Sequence, residues 1–272
     1  MEVKVIEAKN NEIRLVEDIL LIYVKDINLL RNMNKEQFIN YLKKIDINIK
    51  ENQINQLDMY YNLLITENQK INLTGITEYN LVYLKHFYDS LTLNKIIKLD
   101  NQTLCDIGTG AGFPGIVLKI VFPNLKVTLI EPLNKRCNFL KLVIDTLELK
   151  DITIINERAE DYGKKVRETY DIVTSRAVAN IKILFEYSVP LLKVNGYFLP
   201  MKASCSELEG LDSYLKRFSI KSLSPIKFYL PKENSERTIG VYQKLAATHK
   251  KYPRPYSQIR KEINIKKNIS QD

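Results

Sequence analysis

The chain has little cysteine and no pairing of it. Cys105, Cys137 and Cys205 are odd in number, widely spaced and without a Cys-x-x-Cys pair, which argues against both a disulfide framework and a zinc site. A reducing cytoplasm is the compartment this usage fits. No stretch approaches the ~20 uncharged residues needed to span a bilayer. The first residues carry Glu2, Glu7, Glu12, Glu17 and Asp18, whereas a secretory signal needs a cationic start and an unbroken apolar run. Internal repeats and low-complexity linkers are absent as well. What the chain has in excess is positive charge: 41 Lys and Arg against 32 Asp and Glu give a net +9. Such a balance favours polyanionic partners such as nucleic acid, although an anionic membrane surface responds to the same charge. At 272 residues the chain can bury a substantial core, as one α/β domain with appendages or as two small domains.

Residues 1–32 read as an extension of unknown role with one amphipathic stretch, "IRLVEDILLIYVKDINLL". Residues 33–100 read as a helical subdomain in which Leu57, Tyr60, Tyr61 and Leu64 share one face, placing these aromatics in a core. From Thr103 the pattern changes to short apolar strands, "TLCDIG", "KVTLIE", "ITIIN", "DIVTSR" and "GYFLPMK". Helical segments "PGIVLKIVF", "NKRCNFLKLVIDTLEL" and "NIKILFEYSVPLL" lie between them. This alternation predicts a mostly parallel sheet covered on both faces. A helix around Glu207 to Lys216 and two more strands, about Ser219 to Leu230 and Arg237 to Lys244, complete a seven-stranded count. The last two predict an antiparallel hairpin at the sheet edge. Residues 101–247 thus form the expected α/β domain, followed by a basic tail at 248–272.

The stretch "LCDIGTGAGFPGI" carries the chemistry. "GAGFPG" matches the dinucleotide pattern G-x-G-x-x-G, but in that fold the first glycine directly follows the strand. Here the apolar strand ends near Ile107, so the turn begins at Gly108. The register is Asp106-x-Gly108-x-Gly110-x-Gly112, which resembles the acidic, glycine-rich loop of class I methyltransferases that bind S-adenosylmethionine. That ligand has no phosphate, so its amino-acid moiety and ribose must approach bare backbone, which glycines permit. Pro114 suits the first turn of the following helix. Glu131, at the end of the second strand, is placed to take two ribose hydroxyls, and would serve NAD equally well. The alternative is a solvated strand end.

The fourth strand runs into "DIVTSRAVAN", with neither the Pro-Pro-aromatic segment frequent in amine methyltransferases nor the Pro-Cys of enzymes that alkylate pyrimidine carbon. Neither a covalent thiolate nor an amine-stripping base is indicated. Guanine N7 is an acceptor of that kind, because its lone pair is free. "NLTGI", "HFYDSL", "DIGTGAGFPGI", "ERAED", "SRA" and "PLLKVNGYFLPMK" occur in the order of the glucose-inhibited division protein B family, which the chain resembles from about Met33 to Leu245. Members are bacterial guanine-N7 methyltransferases of small-subunit ribosomal RNA. The resemblance implies a class I, Rossmann-like methyltransferase fold and S-adenosylmethionine as cofactor. It also implies a small-subunit (16S) ribosomal RNA or ribosomal assembly intermediate as partner, cytoplasmic location, no membrane and a monomer. By it, Gly108 and Phe113 border the cofactor, Ala159 and Glu160 flank the adenine, and Arg176 sits where cofactor and substrate meet, with Lys202 as a second positioning cation. The chain departs from the family at Asn195-Gly196 and at Lys202-Ala203, where Gly-Gly and Lys-Gly are usual.

His86 and Asp89, three apart on an expected helix, suggest an acid/base pair. The preferred reading is that "HFYDSL" packs the helical subdomain over the cofactor site, with Asp89 capping or pairing locally. In the tail, Lys250, Lys251, Arg254, Arg260, Lys261, Lys266 and Lys267 stand against Glu262 alone. Interleaved Tyr252 and Tyr256 are candidates to stack on bases, the alternative being a solvated, disordered tail. Three functions compete: a ribosomal RNA methyltransferase, a methyltransferase on a small molecule or protein, and a nicotinamide oxidoreductase on the shared sheet. No metal site is expected.

Overall fold

The structure, a computed structural model, describes residues 33–233 and 235–269, with side chains to residue 264. The helix expected within residues 1–32 lies outside the described residues.

Seven strands form one sheet: β1 (Thr103–Ile107), β2 (Lys126–Ile130), β3 (Ile152–Ile155), β4 (Tyr170–Arg176), β5 (Leu192–Lys202), β6 (Ile220–Tyr229) and β7 (Glu236–Lys244). Their order is β3-β2-β1-β4-β5-β7-β6. The first five strands pair in parallel, and β7 runs antiparallel to both β5 and β6. The expected hairpin therefore closes the sheet, but with its second strand inside and β6 at the edge. Strand order reverses between β1 and β4. In open α/β sheets ligands gather at this point, outside the carboxyl ends of the strands.

Both faces of the sheet are covered, which is why the strands read as apolar runs. Side chains alternate between two cores, as a pleat requires. Leu104, Leu129, Ile172 and Leu199 point into one, and their neighbours Cys105, Ile130, Val173 and Phe198 into the other. The first core is shared with the N-terminal helices α1 (Lys35–Lys43), α2 (Glu51–Asn68), α3 (Tyr79–Val82) and α4 (Asp89–Leu91). Asn34 starts α1 with a capping box: its Oδ1 accepts from Gln37 N at 2.9 Å, and Gln37 Oε1 accepts from Asn34 N at 3.2 Å. Leu57, Tyr60 and Leu64 of α2 are fully buried. Tyr61 turns partly outward, its hydroxyl donating to Thr77 O at 3.0 Å.

Between α3 and α4 the backbone forms a π-helical stretch, Tyr83–Tyr88. Its wider turn changes which side chains meet, and π segments of this kind are frequent at functional sites. Four helices link the successive parallel strands: α5 (Gly115–Val121) and α6 (Asn134–Thr146) pack into the first core beside the N-terminal helices, while α7 (Ala159–Lys165) and α8 (Ile181–Ser188) cover the other face of the sheet. The single helix expected around Glu207 to Lys216 is broken at Gly210, whose φ of +64° lies outside the helical range. A 3-10 turn at Cys205–Leu208 and the short α9 (Asp212–Arg217) result.

The C-terminal segment is not a loose basic appendage. It ends in α10 (Tyr256–Ile269), whose Ile259 is fully buried in the second core. Tyr252, expected as a base stacker, is buried with its ring 4.7 Å from that of Phe218. Arg254 Nε donates to the fully buried Glu186 at 2.9 Å, and its Nη2 reaches Glu262 at 2.8 Å. Arg167 donates to Tyr252 O at 2.6 Å and Thr248 O at 2.8 Å. The buried Lys244 ammonium binds Val189 O, Leu192 O and Glu168 at 2.9, 2.8 and 3.1 Å. Among the described residues no helix is long and apolar enough to cross a membrane, and no cluster of ligating side chains could hold a metal.

Candidate active site

The turn after β1 continues the sheet before leaving it, with Gly108 N and Thr109 N both donating to Ile130 O at 2.8 and 3.2 Å. Gly108, Gly110 and Gly112 have φ of +65°, +61° and +99°, a region costly for side chains other than glycine. Space adds to this at two of them. A Cβ on Gly108 would come 2.8 Å from Val178 Cγ1, and one on Gly112 2.7 Å from Tyr60 Oη. A Cβ on Gly110 would meet nothing within 4 Å, so here bare backbone faces an open hollow. Tyr60 also donates its hydroxyl to Ala111 O, so a helix of the N-terminal unit grips the turn.

Asp106 holds the same turn from beneath. Its Oδ2 accepts from Thr109 Oγ1 at 2.6 Å and Gly115 N at 2.9 Å, while Oδ1 is buried with no partner. Burial raises its pKa to about 6 against the pull of those bonds. Glu131, buried at the end of β2, accepts from Gly110 N through Oε2 and from Leu133 N through Oε1, each at 3.0 Å. Arg136, in the first turn of α6, approaches it to 3.8 Å.

Phe113 forms the next wall. The His86 ring stacks on it with centroids 4.5 Å apart, and the Arg176 guanidinium lies 5.1 Å from its centre. Arg176 donates to Lys85 O at 2.9 Å, to Asp89 Oδ2 at 3.2 Å and to His86 Nδ1 at 3.1 Å. A guanidinium has no acceptor, so Nδ1 is the lone-pair nitrogen and Nε2 carries the proton, 2.8 Å from Thr74 Oγ1. Burial, helped by the Arg176 charge, pushes the His86 pKa down to about 3. His86 and Asp89 therefore do not pair with each other. The π stretch separates them, and each meets Arg176 instead. Asp89 is not paired locally either: Arg237 Nε on β7 stands 3.4 Å from its Oδ1. Burial raises the Asp89 pKa, and the two arginines oppose that rise.

Two hollows open along the carboxyl edge of the sheet. The smaller, about 190 Å³, is lined by Thr74, Gly108, Gly110, Phe113 and Arg136 among others. The larger, about 690 Å³, is lined by Asp89, Val178, Asn180, Lys202, Glu207 and Arg237 among others. His86, Arg176 and Ala177 line both. The Ala177 φ of +53° marks a sharp bend just after Arg176. Lys202, at the end of β5, donates to Ala179 O at 2.7 Å and pairs with Glu207 Oε2 at 3.2 Å.

Of the residues named from sequence, Gly108, Gly110, Phe113 and Arg176 line the first hollow, and Lys202 lines the second. Asp106 and Glu131 bond to the turn that borders the first hollow, and Gly112 belongs to that turn without lining it. Ala159 and Glu160 line neither. Ala159 is buried at the start of α7, and Glu160 is hydrogen-bonded to Tyr187. Tyr60's grip on the turn, Arg136, Glu207 and Arg237 were missed. Arg136 carried a signal, lying five residues past Glu131 in the first turn of α6, whereas Arg237 comes from a remote hairpin and carried none.

A family model described as rRNA small subunit methyltransferase G matches residues 53–236. The chain is 44% identical over 227 residues to "Ribosomal RNA small subunit methyltransferase G" of Lysinibacillus sphaericus, covering 82% of this chain and 95% of that protein. The protein of the same description from Bacillus subtilis is 45% identical over 228 residues, with the same coverage. Among solved structures, a SAM dependent methyltransferase from Aquifex aeolicus aligns at a TM-score of 0.47, with 16% identity over 67% of this chain and 98% of that chain.

Proposed function

Because the chain belongs to the family of rRNA small subunit methyltransferase G, we propose that its two joined hollows carry out methylation of guanine N7 in small-subunit (16S) ribosomal RNA with S-adenosylmethionine. The observation that carries this reading is the shared wall. A glycine-lined hollow and a larger cleft open to one another across His86, Arg176 and Ala177, so a donor in one faces an acceptor in the other.

The smaller hollow fits the cofactor on its own features. Gly110 offers open space where any Cβ would project, and Glu131 presents a buried carboxylate beside it. Asp106 keeps an unpartnered buried oxygen under the turn. When bound there, S-adenosylmethionine supplies the electrophilic methyl group. Gly108, Gly110 and Phe113 would border it and Glu131 would accept from the ribose hydroxyls, while Ala159 and Glu160, which line neither hollow, are assigned to the adenine side by the family resemblance alone. Arg136 neutralises Glu131 from the rim.

For the transfer itself no residue has to remove a proton, because guanine N7 presents a free lone pair. His86 is suited to that situation. It is neutral at physiological pH, and its lone pair is already occupied by Arg176. Its task is positional: with Asp89 and Lys85 O it fixes the Arg176 guanidinium against Phe113. Arg176 then orients the guanine relative to the methyl group, and Lys202 holds the far wall. Alignment and exclusion of water supply the rate.

The substrate is ribosomal RNA, free or in an assembling particle, and the net charge of +9 supports it. The chain acts as a monomer, and its unpaired cysteines support a reducing cytoplasm as the compartment. The deciding experiment incubates the chain with S-adenosylmethionine and small-subunit RNA or particles and maps N7-methylguanine by mass spectrometry. One modified guanine is expected. Methylation confined to a small molecule or protein would overturn the reading. So would binding of NAD in place of S-adenosylhomocysteine.

A further inference from the structure

Guanine is attacked at N7 on one edge of the purine, where O6 stands beside it, while N1–H and the 2-amino group lie on the opposite edge. With the N7 edge turned to the cofactor, the far side of the cleft is where this second pair of identifying groups can be read. In the strand order β1-β4-β5, the cofactor turn follows β1, Arg176 ends β4 and Lys202 ends β5. Neighbouring strands lie about 4.8 Å apart. A base whose N7 faces the Arg176 wall thus directs its other edge toward the end of β5 and the turn after it.

Two carboxylates line this cleft, Asp89 and Glu207. Asp89 is committed. It is buried, with Arg176 on one oxygen at 3.2 Å and Arg237 on the other at 3.4 Å. Glu207 is not. Its side chain is 44% exposed, Lys202 holds Oε2 at 3.2 Å, and Oε1 accepts nothing among the described residues. Lys202 is itself anchored by Ala179 O at 2.7 Å and is 5% exposed, so the carboxylate is tethered to a fixed cation.

We propose that Glu207 is the guanine-reading residue, its carboxylate accepting from N1–H and the 2-amino group, with Lys202 as its positioning residue. This deepens the reading above and rests on it. A carboxylate accepts two parallel donors, and guanine presents such a pair where adenine presents an acceptor at N1. As N7 gains the methyl group, positive charge spreads into the purine and makes N1–H a stronger donor. The same contact then tightens in the transition state, so Glu207 contributes to rate as well as to choice of base.

The test uses the full chain, S-adenosylmethionine and RNA carrying either guanine or inosine at the mapped position. Inosine keeps N7 and N1–H but lacks the 2-amino group. Losing one hydrogen bond to a charged acceptor corresponds to roughly a tenfold or larger fall in rate, so the wild-type chain should methylate inosine RNA at least about tenfold more slowly in single turnover. Glu207→Ala should be slower on guanine and should discriminate less than about threefold. The isosteric Glu207→Gln should fall between, and both variants should bind S-adenosylhomocysteine as the wild type does. An unchanged guanine-to-inosine ratio in Glu207→Ala and Glu207→Gln would overturn the proposal. Failure of the wild-type chain to methylate guanine RNA at all would instead overturn the underlying reading.

Discussion

His86 shows how much one side chain's surroundings decide. A histidine near a methyl-transfer site invites a general-base role, but an imidazole with a pKa of about 3 whose Nδ1 accepts from Arg176 has no proton to exchange near neutrality. Single-turnover methylation by the wild-type chain should therefore show no histidine limb between pH 6 and 8. His86→Gln should lower the rate without altering that profile. The same shift has a consequence for stability. An unfolded histidine titrates near ~6.5, so between that value and about 3 the unfolded chain binds a proton that the folded chain refuses. This contribution is present above about pH 6.5 and declines as pH falls. Urea unfolding at pH 7 and pH 5 should show a shallower loss in His86→Gln than in wild type. Gly110 gives a second test. Gly110→Ala meets no protein atom within 4 Å and pays only the left-handed backbone cost, about 1–2 kcal/mol. Its methyl group nevertheless enters the cofactor space. Calorimetry should find S-adenosylhomocysteine affinity reduced well beyond any change in fold, and unaltered affinity would mean that the hollow holds something else.

At the scale of elements, what the sequence made legible was local. The Asp106 to Gly112 register could be read because strand end, turn and helix start are contiguous, and positive φ names glycine at each step. Glu131 could be read because a parallel partner strand sets its end beside that turn. The rest depends on contacts between distant segments. Nothing near Asp89 announces Arg237, and the π stretch that parts Asp89 from His86 has no sequence pattern as plain as a glycine turn. The tail is the sharpest case. Its composition leaves a base-stacking RNA arm and a solvated polycation both open, yet Arg254 is bound to Glu186, and Tyr252 and Ile259 are core. Truncation after Leu245 should therefore destabilise the chain rather than simply weaken RNA binding. Removing Ile259 from the core alone costs about 1.5–3 kcal/mol. A lowered denaturation midpoint is expected in the absence of RNA. A truncated chain as stable as the full one would return the tail to the role of a charged appendage.

For the molecule as a whole, the question is whether the helical region before residue 101 and the sheet behave as two domains. One core runs from Phe38 and Leu42 on α1 through Tyr60 on α2 to Leu104 and Leu129 on the sheet. Tyr60 extends that continuity into the site, because its ring lies 5.5 Å from that of Phe113 and its hydroxyl binds the glycine turn at Ala111. A ligand settling on the turn thus acts on a surface whose underside belongs to α2. We propose that the two regions unfold together and that the cofactor stabilises both. Binding to the folded state alone adds about 2.7 kcal/mol when free ligand is a hundredfold above its dissociation constant. Scanning calorimetry should then show one transition for residues 33–269, moving upward as a unit with S-adenosylhomocysteine. Hydrogen exchange should slow across α2 as well as β1 and β2. If the helices melted in a separate step that the ligand left in place, the Tyr60 contact would be a surface touch between two independent domains. Tyr60→Phe discriminates further: it keeps the buried ring and deletes the hydroxyl, so it should weaken ligand binding and shrink the ligand-induced shift while leaving a single transition.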